Sequence, residues 1–91
     1  MFVSSPVKIR SIAIRFDGSD RWHKAVSVTD LAELLLSRRW PRSSDDAMWR
    51  KALVACLASQ RSEAKAGKAR KAFIKAALRA ALIVKADTRV H

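Results

Sequence analysis

The sequence predicts an α+β fold: a small single domain with an N-terminal β-hairpin followed by three α-helices. Three observations carry that prediction. Apolar residues between Val7 and Val28 recur mostly at alternate positions, they recur at every third or fourth position from Leu31 onward, and a helix-start signal, Thr29-Asp30, separates the two regimes. The chain of 91 residues fits one domain, with residues 1–6 and 86–91 expected to fray. A domain of this size buries only about 60 to 65% of the surface its unfolded chain exposes, so its stability margin is thin.

Within the strand region, Val7 and Ile9 keep one phase and Ile12, Ile14 and Phe16 the other. The alternation therefore slips at Arg10-Ser11, where a β-bulge or a strand start belongs. Asp17-Gly18-Ser19-Asp20 has turn chemistry, because glycine tolerates positive φ and aspartate bonds to nearby backbone amides. Trp22, Val26 and Val28 then alternate with His23, Ala25 and Ser27 to complete the hairpin. Two strands alone do not persist in water, so the hairpin must pack on the helices.

Thr29 is the expected N-cap of the first helix, with Asp30 at the positive end of its dipole. Leu31, Leu34, Leu35 and Arg38 follow at helical spacing, and Pro41 predicts a stop near Trp40. Ser43 or Ser44 with Asp45 and Asp46 starts the second helix, Ser43 and Asp46 having the spacing of a capping box. Trp49, Ala52, Leu53, Cys56 and Leu57 then occupy one face. The third helix starts at Ser62 or Glu63 and is expected to run to about Ala81, with Gly67 a weak point costing up to about 1 kcal/mol relative to alanine. The expected core is Leu31, Leu34, Leu35, Trp40, Trp49, Leu53, Cys56, Leu57, Phe73 and Ile74.

Plotted at about 100° per residue, Ala66, Ala69, Phe73, Ile74, Ala77, Ala80 and Ala81 of the third helix cover one side. Lys65, Lys68, Lys71, Lys75 and Arg79 fall on the other, and Arg70 alone lies within the apolar sector. A guanidinium there needs acceptors. They would be Asp30, Glu33, Asp45, Asp46 or helix-end carbonyls; the functional alternative is a clamp on a bound anion or carboxylate.

Charge is the strongest functional lead. The chain carries 19 Lys and Arg against 8 Asp and Glu, a net charge of +11. Between Ala47 and Ala86, Glu63 is the one acid among ten basic residues. Such a field favours nucleic acid, an anionic membrane surface or an acidic protein as partner, and the lysine stripe is where nucleic acid or another polyanion would bind. The alternative is a protein-interaction or homodimer module using Trp22 and the hairpin edge, apolar surface that so short a chain leaves uncovered. The last two helices do not match a helix-turn-helix.

Most catalytic chemistry finds no support in the residues. Cys56 stands between Leu53 and Leu57 as a small hydrophobe, His23 and His91 have no close ligand neighbours, and Asp45-Asp46 is explained by capping. With no glycine-rich phosphate loop and no Ser-His-Asp arrangement, neither an enzyme nor a metal or other cofactor is expected. A lone cysteine and the lack of a recognisable leader point to the cytoplasm. The apolar run Ala72 to Val84 is interrupted by Lys75 and Arg79 and is too short to span a bilayer.

The stretches LLLSRRWP, ALVACLAS and ARKAFIKAALRAALIV resemble the bacterial domain of unknown function family 982, small proteins found mainly in rhizobia and their relatives. Trp40-Pro41, Ala55-Cys56-Leu57 and Ala69 to Phe73 carry the resemblance, which covers roughly Val26 to Val84. It implies a short β segment and three helices, and no activity. Members usually have a glycine near the end of the last helix, where this chain has Ala81, and a carboxylate just before the Ala-Arg pair, where it has Gly67 and Lys68. The resemblance thus implies that the lysine enrichment belongs largely to this member.

Overall fold

The structure, a computed structural model, describes residues 7–16, 18, 20–41, 47–60 and 63–86. Its elements are β1 (Lys8–Arg15), β2 (Trp22–Ser27), α1 (Val28–Leu35), α2 (Ala47–Ser59), α3 (Glu63–Arg79) and β3 (Ile83–Ala86). The hairpin and three helices match the expectation. The addition is β3, which pairs antiparallel with β1 and makes a three-stranded sheet of order β2-β1-β3. Ala86, expected to fray, pairs with Ile12.

The slip in β1 is a bulge. Lys8 pairs with Ser27 and Ile12 with Ala25, so β1 spends more chain than β2 between the same two rungs. The turn follows its chemistry at Gly18, whose φ is +75°, while Asp17 and Ser19 lie outside the described residues. Ile12, Ile14 and Phe16 face the core with Ala25 and Ser27 of β2. Trp22 and Val26 are consequently on the outer face of the sheet.

β2 runs directly into α1, and this moves the cap. Ser27, extended at φ −146° and ψ 163°, takes the N-cap position expected of Thr29. Its Oγ accepts from the Asp30 amide at 3.2 Å, and the Asp30 carboxylate accepts from the Val26 amide at 3.0 Å. α1 also ends earlier than Trp40. The Leu36 and Ser37 amides donate to Ala32 and Leu34, and a further turn brings the Trp40 amide to Ser37. A continuous helix would point residue 40 about 140° away from Leu35. The turn instead delivers Trp40 to the core, 3% exposed, with ring centroids 6.3 Å from Phe16 and 5.4 Å from Phe73.

On α2 the inward stripe runs through Ala52, Cys56 and Ser59, with Trp49 and Leu53 half-buried. Leu57 is 54% exposed, contrary to its expected place in the core. The stripe is turned toward α3, and small residues line both sides: Ala66, Ala69, Ala76 and Ala77 are buried on α3. Small side chains let the two helices approach closely, which leaves Leu57 beyond the seam. The Trp49 indole donates to the Leu35 carbonyl at 2.7 Å and ties α2 to the end of α1.

α3 starts at Glu63 and ends at Arg79, short of Ala81. The Leu82 amide donates to Ala77 and the Ala81 amide to Leu78, with Ala81 at φ +62°, a Schellman ending that turns the chain into β3. Ala81 is thereby exposed rather than on the apolar face, while Leu82 is buried. The Ser43 to Asp46 capping signal, Ser62 and the chain ends outside 7–86 lie outside the described residues.

Candidate polyanion interface

Lys65, Lys68, Lys71, Lys75 and Arg79 are all exposed, as their phase on α3 requires once Ala66, Ala69, Phe73 and Ala77 are buried. The structure divides them. Lys68, Lys71 and Lys75 line a groove of about 260 Å³ with Ala72, and α2 contributes Met48 and Lys51 to the same groove. Lys65 and Arg79, nearer the helix ends, do not line it.

Lys51 was not identifiable as a site residue from the sequence. It lies on a different helix, and only the packing of α2 on α3 brings its ammonium group to the stripe. The signal available was its spacing from Met48 at i+3, which places both on one side of α2. Ser59 helps to hold this corner: its Oγ lies 2.6 Å from the Ala55 carbonyl and 3.0 Å from the Lys65 carbonyl, linking the end of α2 to the first turn of α3.

Among the described residues no carboxylate lines the groove. Four ammonium groups around one depression repel one another, and each adjacent like-charged pair on a helix costs a few tenths of a kcal/mol. A bound polyanion relieves that repulsion and releases its own counterions. The floor is apolar, from Met48, Ala72 and the lysine stems, so the groove offers charge at its rim and little hydrogen bonding within.

Arg70 is half-buried, and its Nε donates to the Arg10 carbonyl of β1 at 3.2 Å. A strand carbonyl is thus one of the acceptors of this guanidinium. Arg70 faces the sheet, away from the lysine groove. Cys56 is fully buried, and desolvation pushes its thiol up to about 11. At pH 7 the thiolate fraction is then on the order of one in ten thousand, too small for ordinary thiolate nucleophilicity. His23 stands edge-on to Phe16 at 5.1 Å, its Nε2 buried with no partner among the described residues. Among the described residues no three His, Cys, Asp or Glu side chains cluster to hold a metal ion. No helix there is long and apolar enough to cross a membrane.

The family model described as "Protein of unknown function (DUF982)" matches residues 10–84. The chain belongs to the DUF982 family. The match runs from within β1 to the first two residues of β3, hence across most of the sheet, the Trp40 corner and the α2–α3 groove together. No curated protein matches this DUF982 chain. No solved structure does either.

Proposed function

We propose that this DUF982 member is a cytoplasmic binding module, rather than an enzyme, whose α2–α3 groove takes the phosphates of nucleic acid or the charges of another polyanion. The observation that carries the reading is the convergence of Lys51, Lys68, Lys71 and Lys75 on one groove, with no acid among the described residues of its lining. A lysine stripe kept only for solubility has no need of a second helix contributing to it. An acidic protein segment would use the same charges, and nucleic acid is the simplest ligand to test.

The test is duplex DNA and RNA binding by fluorescence anisotropy at two salt concentrations. Binding should weaken with salt, log K falling by about 0.9 per log unit of salt for each phosphate contacted on B-DNA. Lys71→Glu with Lys75→Glu should remove most of it. No binding at low salt, or equal binding by the double variant, overturns the reading.

A second reading rests on Val54 and Leu57 of α2, which are 64% and 54% exposed and one helical turn apart. Exposed aliphatics so placed suit a protein partner or a second copy of the chain. Mass that rises with concentration in light scattering would favour self-association, and a strict monomer would count against it.

A further inference from the structure

The outer face of the sheet is a second cationic surface, built unlike the groove. β1, β2 and β3 together contain Lys8, Arg10, Arg15, Lys24 and Lys85 and no Asp or Glu. Register arranges the outward positions of the paired segment in two rows, with exposed Val26 beyond them at the bulge. In one, Arg15 of the central strand lies between Trp22 and Ile83; in the next, Ala13 lies between Lys24 and Lys85. Trp22 is 39% exposed, with the Arg15 guanidinium 5.4 Å and the Lys85 ammonium 5.3 Å from its ring centroid.

From this arrangement we infer that the outer face of the sheet binds single-stranded nucleic acid, with Trp22 stacking a base and Arg15, Lys24 and Lys85 meeting the adjoining phosphates. An exposed indole offers a π-face that any unpaired base can use, and neighbouring cations track the backbone. A base that stacks on Trp22 displaces one of the cations at its ring, and that cation is then beside the phosphate the base brings. A duplex cannot do the same, because its bases are stacked on one another. Charged and apolar positions alternate across the rows, whereas insertion into a lipid surface calls for a contiguous apolar wedge. The inference concerns a different surface from the α2–α3 groove and stands whether or not the groove binds.

The experiment titrates the full chain with a short oligo-dT, a short oligo-U and a duplex of equal length at one low salt concentration. Trp22→Leu should weaken single-strand binding roughly tenfold and leave duplex binding within twofold, and Trp22→Phe should keep most of the affinity. Lys24→Glu with Lys85→Glu, at two exposed positions, provides a second test if Trp22→Leu unfolds; it should weaken single-strand binding at least as much. The Lys71→Glu, Lys75→Glu variant should retain the Trp22-dependent preference for single strands, which separates this surface from the groove. Unchanged single-strand affinity in a folded Trp22→Leu variant overturns the inference, as does an equal loss on duplex. Trp22-dependent binding to phosphatidylserine vesicles with no oligonucleotide binding also overturns it, in favour of a lipid surface.

Discussion

Arg70 of α3 donates from its Nε to the carbonyl of Arg10 in β1, 3.2 Å away across 60 residues of chain. That carbonyl lies in the stretch between Lys8 and Ile12 where β1 loses register with β2. A bulge disrupts the ladder locally. The one cation in the apolar sector of α3 thus bonds to the irregular strand on which the helix packs. Arg70→Met keeps much of the stem and removes the donor, and should lower the unfolding free energy by about 1 kcal/mol. Urea denaturation measures it. Polyanion binding should be unchanged, since Arg70 does not line the groove.

Cys56 supplies a pH prediction. Its thiol rises from 9.0 to about 11 on burial, so the folded state holds the proton more tightly than the unfolded state does. The stabilisation from this group is complete below about pH 9 and is lost as pH rises toward 11. Cys56→Ala should therefore lose less stability than the wild type between those two pH values, compared by thermal melts at each. Ellman's reagent should react with the wild-type thiol only on unfolding.

The sequence made the hairpin, the bulge and the three helices legible because each rests on local chemistry. The slip at Arg10-Ser11 follows from the phases of Ile9 and Ile12, and the buried face of α3 follows from Ala66, Ala69, Phe73 and Ala77. What escaped depends on packing between elements. β3 has only the residues Ile-Val-Lys-Ala and follows an alanine-rich helix without a break in apolar character. Leu57 leaves its expected place in the core, and Ser59 is buried, because α2 is rotated toward α3. The candidate site divides the same way: the α3 lysines were visible as a stripe, while Lys51 and the rows around Trp22 needed the helix pair and the sheet register.

Gly67 is mid-helix, exposed, and has nothing within 4 Å of the position its Cβ would occupy. No packing reason requires a glycine there. Gly67→Ala should raise the unfolding free energy by up to about 1 kcal/mol through restricted unfolded-state freedom and better helix propensity. Chemical denaturation with an unchanged m-value would confirm that only stability moved.

Ala81 presents the opposite case, an L-residue in a glycine conformation. At φ +62° it occupies the left-handed position of the Schellman ending, where a Cβ costs about 1 to 2 kcal/mol. The ending is held by the Leu82 and Ala81 amides on Ala77 and Leu78 and by the burial of Leu82, so the chain retains it despite the strain. Ala81→Gly removes the strain but adds unfolded-state freedom of up to about 1 kcal/mol, leaving a net gain of roughly 0.5 to 1 kcal/mol. For a domain near this size that is a rise in Tm of several degrees, on the order of 2 to 8 °C. Ala81→Val should move Tm in the other direction, because a β-branched side chain tolerates positive φ less well than alanine. Melting the two variants beside the wild type tests the backbone conformation directly: a neutral valine would mean that residue 81 is not left-handed in solution.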